Sequence, residues 1–364
     1  MNIQKDRNYY IDFLRFVFSL MIVSYHSWVF TGVFGAGYFN RGYFAVDFYF
    51  IVTGFLFIKS VEKISEKKTK ENIGKLDLKF VWSRLKPLLP SIIVITILGY
   101  ILVYYRNILD YHILFSDSTI SELFFLGFLG NGMGINLGCW YISVMLVLFF
   151  LLFPLVYKYK KTYIYYIAPA IILFTYGLVR YQHINITDPL VSNFIFIDGF
   201  YKGLIFMNIG VLAYAFSNYL KKKEWTMKQK IIITVLETLM YLFLVANMHY
   251  GIAGSYLIAI IFFFSISITF SNQSYTSKIF TSPKFQSLGK FGFLMYLANV
   301  PVRTFVQNNI HLSYHHTLMV YWGMTISLAI LTYIIAEIIW PKLKIKRKLK
   351  KELEQKKEKV RKRG

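Results

Sequence analysis

Ten apolar runs leave this chain few folds to adopt. They lie at about residues 10–30, 43–61, 88–105, 138–157, 163–179, 203–219, 231–249, 252–271, 291–306 and 317–340, each near the roughly 20 residues that an α-helix needs to cross a bilayer core of about 30 Å. In hydrocarbon the backbone polar groups have no water to bond, so such runs are satisfied only as helices. The sequence therefore predicts an all-α integral membrane protein, a bundle of about ten transmembrane helices. A hydrophobic content of 56% over 364 residues agrees and excludes an ordinary soluble domain.

Charge orients the bundle. A net charge of +23 would suggest nucleic acid in a soluble protein, but its distribution follows the apolar runs instead. All but six of the 41 Lys and Arg residues fall before the first run, beside or within the loops after the second, fourth, sixth and eighth, or in the tail. The exceptions are Arg15, inside the first run, and Arg41, Arg106, Arg180, Lys202 and Arg303. This bias places both termini in the cytoplasm of a multi-pass plasma-membrane protein, with the bilayer rather than nucleic acid as partner. Lys5 and Arg7 before an apolar run imitate a signal peptide, but the run is too long and lacks a small-residue cleavage site, so it is expected to stay as the first span. Residues 342–364 read as a basic cytoplasmic tail lying on anionic headgroups, at roughly 1 kcal/mol per basic residue, and residues 1–341 as one transmembrane domain. The single cysteine, Cys139, excludes an internal disulfide and a cysteine-based metal cluster, and no metal site is expected. The abundance of lysine, isoleucine and tyrosine suits a bacterial protein.

The first run is where chemistry is to be sought. Asp12, Arg15 and His26 interrupt its apolar sequence. Eleven residues at about 100° each bring His26 back to within about 20° of Arg15, so Asp12, Arg15, Ser19, Ile22 and His26 form one face. Ionisable groups in lipid are expensive, and such a face is expected to look into protein or a water-filled cavity. Its ends are about 16 Å apart in depth, so a ligand touching both is elongated. The simplest alternatives are an Asp12–Arg15 ion pair near the headgroups and a histidine bonded to a neighbouring helix.

The second run, entered as RGYFAVDFYFIVTGFLF, places Asp47 about one turn from its outer end, as His26 is from the outer end of the first. Two antiparallel spans packed as a hairpin would bring the two side chains to one depth. A carboxylate behind an imidazole would fix its tautomer and raise its basicity, as a general base for a hydroxyl needs; the alternative for Asp47 is an acid favoured by a helix N-terminus. The aromatic residues Trp28, Phe30, Phe34, Tyr38, Phe39, Tyr43 and Phe44 near the same end read as an interfacial belt or as stacking surfaces for a sugar.

These residues carry a resemblance. The stretch IDFLRFVFSLMIVSYHS, with Arg15 and His26 at the family's arginine-to-histidine spacing, and AVDFYFIVTGFLF, with a valine-aspartate and paired aromatics, resemble the acyltransferase-3 family of integral-membrane O-acyltransferases of the bacterial surface-polysaccharide O-acetyltransferase type. Thr53 stands before Gly54 where the family has a serine, and weaker matches follow at SRLKPLLP, CWYISVML and YLANVP. The resemblance implies transfer of an acyl group, usually acetyl, from cytoplasmic acyl-CoA as a donor substrate to a carbohydrate hydroxyl outside, with no permanently bound cofactor. It implies His26 as base or transient acyl carrier, Asp47 orienting it, and Arg15, Arg84 and Lys86 holding the coenzyme A phosphates. Asp12, Ser19, Thr53, Gly54, Trp140, Ser143 and Asn299 would support the site. The chain departs from the family at Pro87, Met145 and Asn299, where an arginine, a glutamate and a histidine are frequent.

Two other classes compete. A polytopic transporter would show paired charges or broken helices in matching positions of two halves, and no such pair is evident. A non-catalytic partner in envelope polysaccharide export would keep the first two motifs as relics. The acceptor's identity and the oligomeric state are left open by the sequence.

Overall fold

The computed structural model describes residues 7–31, 37–67, 71–104, 117–129, 138–191 and 195–342, which contain helices and turns and no strand. The basic tail from residue 343 and most of the loop between residues 104 and 138 lie outside them.

Helix α1 (Tyr9–Tyr25) begins where the Asn8 side chain accepts bonds from the backbone N–H of Tyr10 and Ile11, satisfying two donors that a helix start leaves free. It tightens into a 3-10 segment, His26–Thr31. Helix α2 (Ala45–Ser65) follows a single 3-10 turn at Gly42–Phe44. Helices α3 (Ile73–Leu85) and α4 (Leu89–Val103) meet at a 51° bend. Pro87 lies in the break, where it has no N–H to continue the ladder. After the short α5 (Asp117–Leu123), helix α6 (Cys139–Thr162) runs through a π-helical turn, Tyr163–Ile167, into α7 (Ala168–Tyr181). Helices α8 (Asp198–Lys222), α9 (Met227–Tyr250), α10 (Ser255–Ser271), α11 (Thr276–Ile279), α12 (Lys284–Asn309) and α13 (Tyr314–Tyr333) complete the described chain, α13 ending in a π-helical segment at Ile334–Ile339.

All ten apolar runs fall on helices, but the expected count of ten crossings is not reached on length and composition. Six segments of the described chain are long and apolar enough to cross a membrane, seven if the bent pair α3–α4 is one span. Three features account for the difference. The chain from Cys139 to Tyr181 is continuous over 43 residues, α10 has only 17, and α12 carries Lys284, Lys290, Asn299 and Arg303 along its length.

Two helix pairings organise the interior: α1 lies mainly on α12, and α2 mainly on α8. The second is a backbone contact. A Cβ added to Gly54 would stand 1.9 Å from the Met207 carbonyl oxygen, and one on Gly210 2.1 Å from that of Ile51. Without hydrophobic drive between helices in lipid, such small-residue crossings supply the packing that holds them together. We expect Gly54→Val to cost about 3 kcal/mol or more through overpacking. It should lower the thermal unfolding midpoint in detergent, whereas Gly177→Ala, with nothing within 4 Å of an added Cβ, should leave it in place.

Candidate active site

The polar residues of the first run divide between the start of α1 and the 3-10 segment beyond its end, and the two places have different chemistry. At the start of the helix, Asp12 is buried between two guanidiniums: Arg7 grips it with Nε at 2.6 Å and Nη2 at 2.9 Å, and Arg15 bonds it at 3.2 Å. The i,i+3 ion pair read from the sequence is therefore present and joined by Arg7. One carboxylate against two cations leaves this end positive. The Arg15 side chain keeps 27% of its surface exposed.

Polar groups continue from there along α1 and α2. Tyr49 Oη donates to the Arg15 carbonyl at 2.5 Å, so the Ser19 hydroxyl, 2.6 Å away, donates to Tyr49. Tyr141 Oη donates to the Tyr49 carbonyl at 3.2 Å and accepts from Thr53 at 2.7 Å.

At the other end, α1 leaves α-helical geometry at His26, whose N–H still bonds the Ile22 carbonyl. The imidazole borders a cavity of about 320 Å³, lined also by Tyr25, Trp28, Tyr43, Trp140, Asn185, Asp188, Tyr296 and Arg303. Nη1 of Arg303, on α12, lies 3.2 Å from His26 Nδ1. A guanidinium only donates, so Nδ1 accepts and the ring proton sits on Nε2. Tyr296 is anchored by a 2.9 Å bond from its hydroxyl to the Gly138 carbonyl.

Asp47 is elsewhere. The expected carboxylate behind His26 is replaced by a guanidinium, and Asp47 pairs with Lys202 of α8 at 2.8 Å, both side chains almost fully buried. The reason lies in the helix pairing: α1 and α2 share polar groups at Tyr49, Ser19 and the Arg15 carbonyl, but α1 lies mainly on α12 and α2 mainly on α8, so His26 and Asp47 find their partners on different helices. Lys202 also donates to the Tyr43 carbonyl at 3.2 Å and lies 5.6 Å from the centre of the Tyr43 ring, which ties the pair to a wall of the cavity. Neither Lys202 nor Arg303 was among the expected site residues. Their signal was nonetheless in the charge pattern, since both are exceptions to the rule that placed nearly every other cation on one side.

The remaining candidates divide. Trp140 is buried and lines the cavity, packed against Gly199 and Tyr141, so it is no lipid-facing anchor. Trp28 and Tyr43 of the aromatic group line the cavity too, Tyr38 and Phe39 stack near His249, and Phe34 lies outside the described residues. Ser143 bonds the backbone of Phe125 and Phe128, holding a surface turn onto α6. Asn299 bonds the Tyr296 carbonyl in its own helix. Gly54 serves the α2–α8 crossing. Arg84 stacks over Phe80 at 4.8 Å, and Lys86 is an exposed residue at the end of α3. Among the described contacts, none joins Arg84 or Lys86 to Arg15.

Residues 8–340 match the family described as the acyltransferase domain, so the match takes in α1, the cavity and every helix that lines it. The chain belongs to the acyltransferase-3 family. It is thus a membrane acyltransferase, and the cavity beside His26 is its candidate active site. Comparison with curated proteins and with solved structures gave no match.

Proposed function

We propose that this acyltransferase-3 protein moves an acyl group, acetyl in the first instance, from cytoplasmic acyl-CoA to a hydroxyl of a carbohydrate or cell-envelope glycan on the far side of a bacterial plasma membrane. One observation carries the reading: α1 runs from a positive cluster at Arg7, Asp12 and Arg15 to a cavity bordered by His26, about 16 Å further along at the α-helical rise. Acyl-CoA has that shape. Its phosphates suit the exposed guanidinium of Arg15, a charge-assisted and bidentate donor. Its pantetheine arm is long and thin enough to follow the polar line past Ser19 and Tyr49, and its thioester would then reach the cavity. The topology that fits has ten crossings and both termini in the cytoplasm, which sets donor and acceptor on opposite sides.

In direct transfer the acceptor hydroxyl oxygen attacks the thioester carbonyl carbon while His26 Nδ1 takes the hydroxyl proton. The C–S bond then breaks, and the departing coenzyme A thiolate recovers that proton, leaving an O-acyl ester. Tyr43 and Trp140 present ring surface to a sugar in the cavity.

Proton NMR of purified surface glycans from wild type, a deletion strain and a His26→Ala strain tests this. Ester signals should vanish in the latter two with polymer still outside the cell; unchanged esters with less exported polymer would favour a transporter. A second expectation concerns the donor. Arg15→Ala should raise KM for acyl-CoA about 10- to 100-fold, the equivalent of roughly 1.5–3 kcal/mol for a hydrogen bond to a charged group. Acceptor KM should hardly move, and an equal rise in both would remove Arg15 from the donor site.

A further inference from the structure

Arg303 occupies the very nitrogen that a base would use. Because a guanidinium has no lone pair to offer, its contact with His26 Nδ1 consumes the ring's acceptor and leaves Nε2 as a donor. A hydroxyl entering the cavity therefore meets no free imidazole nitrogen while Arg303 stays in place. Arg303 is itself incompletely satisfied: its Nε is buried without a hydrogen-bond partner, and among the described residues no carboxylate forms an ion pair with it, although Asp188 borders the same cavity. A half-buried cation whose Nε–H is buried and vacant is a costly arrangement that an incoming oxygen would relieve.

We infer that Arg303 couples donor binding to release of the base: without acyl-CoA its guanidinium caps His26 Nδ1, and with acyl-CoA present it swings to the thioester carbonyl oxygen, freeing Nδ1 to take the acceptor's proton. This rests on the acyl-transfer reading above. The same displacement places two guanidinium N–H groups on the oxygen that becomes negative when the hydroxyl attacks, so one movement supplies both the base and the oxyanion donor. The guanidinium leaves the carbonyl unchanged in charge once the C–S bond has broken and the ester has formed.

The test uses the full chain in lipid nanodiscs with 15N-labelled histidine, the His26 signals being assigned by their loss in His26→Gln. Nδ1 of His26 should be the unprotonated nitrogen in the free protein. Its signal should shift on adding acetonyl-coenzyme A, a ketone in place of the thioester, and stay put on adding coenzyme A alone; in Arg303→Gln the ketone should have no such effect. Kinetically, Arg303→Gln should lower kcat by about 10²- to 10³-fold, the loss typical of one oxyanion donor, with a much smaller rise in KM for acyl-CoA, because the contact with the bound carbonyl replaces the one with His26 and strengthens as the oxygen becomes negative. Guanidinium added to Arg303→Ala should restore part of the rate, which no purely structural role would allow. A proton on Nδ1 in the free protein, or Arg303→Gln within a few-fold of wild type, overturns the inference. So does an activity loss that guanidinium does not repair. Wild-type protein that transfers no acyl group at all would instead sink the acyl-transfer reading, whereas active wild type with an indifferent Arg303→Gln sinks only the role of Arg303.

Discussion

His26→Ala is expected to lower the rate of acyl transfer by about 10²- to 10⁴-fold, the span usually lost with a positioned general base, while the protein remains folded and inserted. The two halves of that expectation have separate grounds. Functionally, the imidazole borders the cavity directly beyond the end of α1, and in the proposed reaction its Nδ1 becomes the base once Arg303 is drawn away. Structurally it holds little. His26 stands where α1 passes into a 3-10 turn, and its backbone N–H, which does not depend on the side chain, makes the capping bond to Ile22. Its side chain forms one described hydrogen bond, to Arg303, and a net contribution of about 1 kcal/mol is ordinary for such a bond. Steady-state rates with acetyl-CoA and a purified glycan acceptor, set beside thermal unfolding midpoints, read both halves. Residual activity above about a tenth of wild type would dismiss His26 as the base. A fall in activity matched by loss of folded protein would leave it a structural residue.

Local pattern carried the reading of α1 and failed between helices, and the physical reason is the range of each interaction. Asp12 and Arg15 pair because they are three residues apart on a helix, a relation fixed by geometry that every α-helix shares. Arg15 and Ser19 keep the same helical relation within α1, whereas His26 opens the 3-10 segment that follows it. Which helix faces α2 is another matter. It is decided where Gly54 meets Met207 and Gly210 meets Ile51, more than a hundred residues apart in sequence, and nothing local in either segment names the other. Placing Asp47 behind His26 assumed that α1 and α2 share these two groups as they share Tyr49, and the glycine crossing took Asp47 to Lys202 instead. Lys202 and Arg303 were legible only as exceptions to the charge rule. Cations within the apolar runs of a membrane protein are costly, and each of these two is held against a partner in the bundle, the buried Asp47 carboxylate in one case and the half-buried His26 imidazole in the other.

Lys202→Met should destabilise the protein by about 3–5 kcal/mol, because it strands the buried Asp47 carboxylate without a counter-ion. Asp47→Asn should do comparable damage by stranding the ammonium. The double variant Asp47→Asn/Lys202→Met, with no charge left to bury, is expected to recover most of the unfolding midpoint, since replacing a whole buried pair is often neutral. Its activity then separates two roles for Asp47. If Asp47 oriented His26, the double variant would fold and still be slow, with kcat depressed as in Asp47→Asn. In the arrangement described here the pair braces α2 against α8 and fixes Tyr43 at the cavity wall, so activity should return with the fold. A loss of more than about tenfold in kcat for a double variant whose unfolding midpoint matches wild type would restore Asp47 to the catalytic histidine. Recovery of both quantities together would make Asp47 and Lys202 a clamp on the cavity wall, and leave Arg303 as the charged residue in contact with His26.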